Sequence, residues 1–174
     1  NDAFELPEKV LQFGTGEFLR GLADYFIDDA NKVGIFNGRV IVVKSTSKGE
    51  TATFERQDGL YTLCVRGIKD GAKIEENIIC SAISRVLHAK DEWTEILKCA
   101  HIRDLQIIIS NTTEVGIELV KDDIHKHPPV SFPGKLLAFL YERYIAFKGA
   151  NDTGFVIVPT ELILENVKKL ESLK

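Results

Sequence analysis

Residues 9 to 44 contain the pattern of a parallel βαβ unit within about 35 residues. "KVLQF" (9–13) is a short apolar run, and "GTG" (14–16) follows it directly. Apolar residues then recur at helical spacing as far as Gly34, and "RVIVVK" (39–44) is a β-branched run typical of a strand buried on both faces. A strand, a glycine turn, a helix and a second buried strand in this order predict an α/β fold.

The remainder of the chain continues the alternation after one interruption. Asp70-Gly71, flanked by "LYTLCVRGI" and "AKIEENII", predicts an antiparallel hairpin inserted after the second strand. Further elements are then expected in the order strand (81–87), helix (91–100), strand (105–110), short helix at "TEVGIELV", helix at "GKLLAFLYERYIAF" and strand at "GFVIVPTEL". The apolar face of the long helix is predicted to consist of Leu136, Leu137, Leu140, Tyr144 and Phe147. We therefore predict a single Rossmann-like α/β domain over residues 1–174, with a doubly wound, mainly parallel sheet.

Composition narrows the possible partners. The formal charge is -4 and the basic residues are scattered, so we expect no nucleic-acid partner. No apolar run reaches the roughly 18 to 20 residues of a membrane span. Three widely spaced cysteines without CxxC spacing indicate free thiols in the cytoplasm. The chain begins at Asn1 and contains no methionine, which favours a fragment of a longer protein.

The glycine turn is the first candidate site. In doubly wound sheets a ligand binds beyond the carboxyl ends of the strands, and glycines allow a phosphate to approach free backbone N–H groups. Gly14, Thr15 and Gly16 occupy that position, although a turn needed only for helix packing is the alternative. Leu19 stands where a third glycine completes the usual fingerprint. Arg20 either reaches a phosphate or lies in solvent.

The end of the second strand carries Lys44 and Ser45 instead of the acidic residue that binds an adenosine ribose. A lysine there is compatible with a 2'-phosphate, whereas the hydroxyls of Ser45, Thr46 and Ser47 can hold an unphosphorylated ribose. The residues themselves leave the choice between NAD and NADP open.

Two more strand ends carry polar side chains. Thr112, Thr113 and Glu114 lie where a ribose or nicotinamide is expected, or they cap the following helix. Glu161 follows the last strand and either points into the cleft or caps. His125-x-His127 has no nearby third ligand, so no metal site is expected. No acid–base constellation for hydride transfer is evident, which places that chemistry on the cofactor and on a second domain.

At this point the motifs resemble a known family. "LQFGTGEFLRG", "DGLYTL", "SNTTEVGIELV", "SFPGKLLAFLYERY" and "VIVPTEL" are similar to the N-terminal domain of tagaturonate reductases, also called altronate oxidoreductases, in the long-chain mannitol dehydrogenase family. The resemblance covers nearly all of the chain. This family has its own glycine loop, G-x-G-x-F-x-R-G, which accounts for Leu19 and adds Phe18 and Arg20 to the cofactor-binding candidates.

The resemblance implies NADH-dependent interconversion of the sugar acids D-tagaturonate and D-altronate in bacterial hexuronate breakdown. It also implies a helical C-terminal domain that holds the family's catalytic lysine and histidine, so the catalytic residues are expected outside this chain. In mannitol-type relatives an acidic residue and an asparagine end the last strand of the first domain. The matching pair here is Glu161 and Leu162, so only the acidic residue keeps a place in the cleft.

Other functions remain open on the residues. A mannitol or fructuronate-type dehydrogenase domain shares this architecture, and a stand-alone nucleotide-binding module without catalysis has the same loop. Methyltransferases that use S-adenosylmethionine also begin with a strand, a glycine loop and a helix, but no acidic-aromatic substrate motif supports that class here.

Overall fold

The structure is a computed structural model that describes residues 2–45, 54, 56–112, 120–162 and 168. Its centre is a five-stranded parallel sheet, with a separate two-stranded antiparallel sheet. The strands are β1 Glu8–Phe13, β2 Arg39–Lys44, β3 Tyr61–Lys69, β4 Ala72–Cys80, β5 Ile83–His88, β6 Ile107–Ser110 and β7 Val156–Pro159. The helices are α1 Glu17–Gly21, α2 Ala23–Lys32, α3 Trp93–Cys99 and α4 Phe132–Phe147, with short 3-10 turns at Asp2–Glu5 and Asn151–Thr153.

The parallel sheet has the order β5-β2-β1-β6-β7, which confirms the predicted Rossmann-like architecture. In the centre Leu11 of β1 pairs with Ile41 of β2 on one side and with Ile108 of β6 on the other. All six residues of β2 are buried, as its β-branched run predicts. The predicted helix at "TEVGIELV" falls mainly on residues 113–119, which lie outside the described residues.

The predicted hairpin is also confirmed. β3 and β4 pair along nine residues each, from Tyr61 opposite Cys80 to Lys69 opposite Ala72. Asp70 and Gly71 form the turn with φ values of 51° and 78°. Both central residues therefore adopt the positive φ that a two-residue hairpin turn of this kind requires. The hairpin is mostly exposed, and its base at Cys80 is buried.

The helix after the glycine turn is interrupted at Leu22, which the sequence did not predict. Leu22 has φ -120° and ψ -77°, so α1 and α2 are two segments. The hydroxyl of Tyr61 donates a 2.7 Å hydrogen bond to the carbonyl oxygen of Arg20, which would otherwise accept a helical bond from Asp24. A side chain that enters the ladder of helical bonds is a known cause of such a break.

Alternate residues of the central strands pack on opposite faces of the sheet. On one face Leu11, Ile41 and Ile108 pack with residues of α3 and α4, including Ile96 and Phe139. On the other face Val10, Val40 and Val42 pack with Leu19 of α1 and with Cys80 at the hairpin base. The sheet is thus covered on both sides, as a doubly wound fold requires.

Helix α4 confirms the predicted position and part of the predicted apolar face, since Leu136 is buried and Leu140 packs against the core. Ser131 caps it by accepting a 3.0 Å hydrogen bond from the N–H of Gly134. Leu136 and Phe139 are buried, whereas Leu137 and Tyr144, expected on the same inward face, are exposed. The described helices include none with the length and apolar character needed to cross a membrane.

Candidate functional site

The glycine loop lies at the switch point of the sheet. β1 is flanked by β2 on one side and by β6 on the other, so the chain leaves the carboxyl ends of these neighbouring strands in opposite directions. The N–H of Gly14 donates to the carbonyl of Val43 in β2 (3.1 Å), and the N–H of Asn111 donates to that of Phe13 in β1 (3.1 Å). In open α/β sheets the crevice at such a point is where ligands bind.

The two glycines of the loop have different requirements. Gly14 has φ +134°, and a Cβ there lies 3.3 Å from the backbone oxygen of Asn111 and 3.2 Å from Leu19 Cδ1. A side chain at this position is therefore both strained and crowded. Gly16 has φ -66°, and a Cβ there meets no described atom within 4 Å. Because Gly16 has no side chain, there is open space at the loop. The backbone angle and the surroundings would also accept a side chain, so the fold itself does not require glycine at this position.

The other predicted residues of the loop have mixed environments. Thr15 is half-buried, and the ring of Phe18 is 53% exposed. Arg20 is half-buried and forms no ion pair with a described acidic residue. Its guanidinium carbon is 5.5 Å from the ring centre of Phe54, and its Nε is buried without a described hydrogen-bond partner. Leu19 is fully buried, so it fills the core where the usual fingerprint has a third glycine.

Lys44 ends β2 at the same edge of the sheet, and Ser45 follows it. Lys44 is 5% exposed, and its carbonyl accepts a 2.9 Å hydrogen bond from the N–H of Ala89. Ser45 is exposed. Thr46 and Ser47, the other hydroxyl candidates, lie outside the described residues.

The ends of β6 and β7 are tied together by polar contacts. Asn111 Nδ2 donates to the carbonyl oxygen of Thr160 (2.8 Å), and the N–H of Thr112 donates to a carboxylate oxygen of Glu161 (3.3 Å). Glu161 is 6% exposed, so its carboxyl lies against the β6 loop beside the switch point. Thr113 and Glu114 are outside the described residues.

A buried polar pair behind the loop was not predicted from the sequence. Gln12 in β1 and Asp24 in α2 have no exposed surface, and Gln12 Nε2 donates to Asp24 Oδ2 (3.3 Å) and to the carbonyl of Gly14 (3.2 Å). Burial raises the pKa of Asp24 to about 7, against the opposing effects of Gln12 and Arg20. The available signal was a glutamine inside the apolar run "KVLQF".

The histidine pair forms no metal centre with other described residues. His125 is exposed, and its ring packs edge-on against Tyr141 with a centroid distance of 6.5 Å. Within residues 2–45, 54, 56–112, 120–162 and 168, no three His, Cys, Asp or Glu side chains converge as metal ligands.

Comparison with known proteins gives consistent results. The family model for the mannitol dehydrogenase Rossmann domain matches residues 8–173. The altronate oxidoreductase of Bacillus subtilis is 46% identical over 167 residues, which are 95% of this chain and 35% of that protein. The altronate oxidoreductase of Halalkalibacterium halodurans is 41% identical over 171 residues, which are 97% of this chain and 33% of that protein.

A solved structure of Pseudomonas fluorescens mannitol 2-dehydrogenase, a ternary complex with NAD and D-mannitol, has the same fold. It superposes with a TM-score of 0.82 at 20% identity, over 98% of this chain and 37% of that one. The present chain therefore spans about a third of the length of these proteins.

Proposed function

Because this chain belongs to the mannitol dehydrogenase Rossmann domain family, we propose that it is the NAD-binding domain of an oxidoreductase that interconverts D-tagaturonate and D-altronate. The observation that carries the dinucleotide site is the glycine loop at the switch point. Gly14 lets the loop pass close to Asn111, and Gly16 leaves open space for a ligand to approach the backbone. The substrate follows the altronate oxidoreductases, whose similarity extends over nearly the whole chain.

The loop residues fit a pyrophosphate. Among the described residues no side chain caps the start of α1, so its first N–H groups remain available to an anion. We assign the pyrophosphate to Gly14, Thr15 and Gly16, with Arg20 as the nearby cation and the exposed Phe18 at the rim.

The neighbouring strand ends complete the proposed site. Ser45, exposed at the end of β2, takes the adenosine ribose, with Lys44 beside it. Thr112 lies on the nicotinamide side, where the predicted Thr113 and Glu114 follow. The carboxylate of Glu161 accepts from the backbone of Thr112, so its proposed role is to hold the β6 loop at the cleft.

When bound, NAD supplies the hydride acceptor, and NADH the donor, for oxidation and reduction at a CH–OH carbon. The described residues bind and orient the cofactor. We place the acid–base groups, and the contacts to the sugar acid, in a further C-terminal domain, for which the greater length of the relatives leaves room.

A surface for that domain is present on α1 and α2. Phe18, Leu22 and Phe26 recur every four residues and are all exposed, while the same segment buries Asp24 and Asp28. Exposed apolar residues at helical spacing are typical of a covered interface. We propose that the C-terminal domain covers this stripe.

The cysteines support a reducing compartment. Cys64 is exposed, Cys80 and Cys99 are buried, and all three are free thiols. We propose the cytoplasm as the location.

The test is a calorimetric titration of the protein with NADH, NADPH and S-adenosylmethionine in parallel. Saturable binding of NADH with weaker binding of NADPH is expected, and binding of S-adenosylmethionine alone contradicts the proposal. Assays of the full-length protein with D-tagaturonate, D-fructuronate and D-fructose then test the substrate. Faster NADH oxidation with D-fructuronate or D-fructose than with D-tagaturonate overturns the assignment.

A further inference from the structure

Gln12 is the polar residue in the middle of β1 whose side chain reaches the glycine loop. One amide nitrogen, Nε2, donates both to the Gly14 carbonyl (3.2 Å) and to Asp24 Oδ2 (3.3 Å). The carboxyl of Asp24 therefore fixes the direction of the amide, and the amide binds the loop. The two side chains are fully shielded from solvent.

Stability alone does not account for this pair. Gln12 Oε1 and Asp24 Oδ1 are both buried without a hydrogen-bond partner among the described residues. A buried polar group that lacks a partner costs free energy, and apolar side chains of similar size are often equal or better at such places. A half-satisfied pair directly behind a binding loop points to a role in that loop.

The geometry of the peptide bond gives the role. In a trans peptide the carbonyl and the following N–H point in opposite directions. When Gln12 holds the Gly14 carbonyl, the N–H of Thr15 points away from Gln12. Glycine at position 14 tolerates more than one orientation of this peptide, so a hydrogen bond is needed to select one.

We propose that Asp24 is a positioning residue of the dinucleotide site, which acts through Gln12 to hold the Gly14–Thr15 peptide with the Thr15 N–H directed to the pyrophosphate. This inference rests on the proposed function for its ligand. The orientation of the peptide is a property of the protein alone and can be measured without the ligand.

The surroundings of Asp24 make its ionisation observable. Burial raises its pKa to about 7. The charged and titratable groups that interact with Asp24 are Arg20 of α1, Tyr61 of β3 and Cys80 of β4. Asp28, with its ion-pair partner Lys32, follows four residues later in α2. Cys80 Sγ donates to the backbone oxygen of Asp24 (3.6 Å) and not to its carboxyl. The described side-chain hydrogen-bond donor to the Asp24 carboxyl is therefore Gln12. Its titration should therefore reach Thr15 through Gln12.

Three variants test the inference. Gln12→Leu removes the amide at similar volume, Asp24→Asn keeps an acceptor but removes the ionisation, and Asp28→Asn is the matched control. Asp28 is also buried on the same helix, but it accepts from the N–H (2.7 Å) and hydroxyl (2.9 Å) of Ser81 and forms no hydrogen bond with the loop among the described residues. The readouts are the NADH dissociation constant, Thr15 amide exchange, and the pH dependence of the Thr15 amide resonance.

For Gln12→Leu we expect NADH binding to weaken, and Thr15 exchange to accelerate, by roughly 3- to 10-fold, the effect of one hydrogen bond. The wild-type Thr15 resonance should show a step near pH 7 that Asp24→Asn abolishes and Asp28→Asn retains. If wild type binds NADH and Gln12→Leu changes neither binding nor exchange, the inference is wrong.

The two proposals can fail separately. If wild type binds no dinucleotide but Gln12→Leu accelerates Thr15 exchange relative to Asp28→Asn, the cofactor assignment is wrong and the positioning of the peptide stands. If Gln12→Leu does not fold, the pH step in wild type and its loss in Asp24→Asn decide the question. A wild-type Thr15 resonance without the step, or a step that survives in Asp24→Asn, then overturns the inference.

Discussion

Two buried charged side chains, Arg143 on α4 and Asp24 on α2, differ in their hydrogen bonding. Beneath α4, Arg143 is 4% exposed and lies 4.3 Å from the ring centre of Phe147 and 4.7 Å from that of Phe155. Its guanidinium donates to five backbone carbonyls, those of Ala100, Ile102, Arg103, Leu105 and Thr153. Beneath α2, Asp24 has one described side-chain donor and one unpartnered oxygen.

This difference separates a structural role from a functional one. Arg143 joins α4 to the segment between α3 and β6, and its hydrogen-bonding groups are fully engaged. Asp24 and Gln12 keep unused hydrogen-bonding capacity beside a loop at the switch point. Saturated buried polar groups stabilise a fold, whereas partly saturated ones are a reason to look for a ligand nearby.

The largest loss of stability is expected for Arg143→Met. The change leaves several buried carbonyls without their charged donor, so the free energy of unfolding should fall by about 3 to 5 kcal/mol. Urea unfolding followed by circular dichroism measures it. Arg103→Met is the control, because Arg103 and its partner Asp152 are exposed and such a pair contributes less than about 1 kcal/mol. Equal losses of stability in the two variants would contradict the structural role of Arg143.

Asp24→Asn should increase the free energy of unfolding, by an amount that depends on pH. The unfolded chain releases the proton of Asp24 near the ordinary aspartate pKa of 3.8, while the folded chain holds it up to about pH 7. The folded state binds more protons between these values, so this group's contribution to stability is complete below pH 4 and decreases as the pH rises to 7.

At pH 8 the wild type therefore keeps a buried carboxylate that the variant lacks, and Asp24→Asn should be more stable by a few kcal/mol. At pH 4 the two proteins should be nearly equal. Thermal or urea unfolding at several pH values measures the difference. A stability difference that is constant across this range contradicts the raised pKa of Asp24.

The elements could be predicted because their signals are local. The β-branched run of β2, the Asp70-Gly71 turn and the glycines of the loop each lie within a few residues of the structure that they specify. The break at Leu22 could not be predicted in this way, because it depends on the hydroxyl of Tyr61, which contacts Arg20 from 41 residues away.

Tertiary packing also determines which side of α4 is buried, and the spacing of apolar residues along the sequence does not specify this fully. Leu137 and Tyr144 are apolar or aromatic and fit a helical stripe, yet the buried side of α4 carries Arg143 instead. The candidate site was predicted from Gly14 and Gly16, while the burial of Lys44 and the contact of Glu161 with Thr112 depend on how separate strand ends meet. Gln12 in a strand and Asp24 in a helix are 12 residues apart in the sequence. The only local signal for this pair is a glutamine within an apolar strand.

Gly14→Ala tests the part of the loop that the fold itself constrains. A φ of +134° is strained for alanine, and the new Cβ lies 3.3 Å from the Asn111 oxygen and 3.2 Å from Leu19 Cδ1. We expect a loss of about 1 to 3 kcal/mol in the free energy of unfolding, together with loss of NADH binding. Urea unfolding and calorimetry measure the two effects, and a variant as stable as wild type would show that the strain is absent.

Gly16→Ala should have the smallest effect on stability and still weaken the cofactor. Its φ of -66° suits alanine and its Cβ meets no described atom within 4 Å, so the free energy of unfolding should change by less than about 0.5 kcal/mol. The methyl group nevertheless occupies the open space that we assign to the pyrophosphate, and NADH should bind at least about 10-fold more weakly. Urea unfolding and calorimetry of this variant beside Gly14→Ala distinguish the two glycines. Both variants should lose NADH affinity, but only Gly14→Ala should lose stability. If a folded Gly16→Ala protein binds NADH with unchanged affinity, the dinucleotide binds elsewhere. The Gln12–Asp24 pair then has no role in binding it.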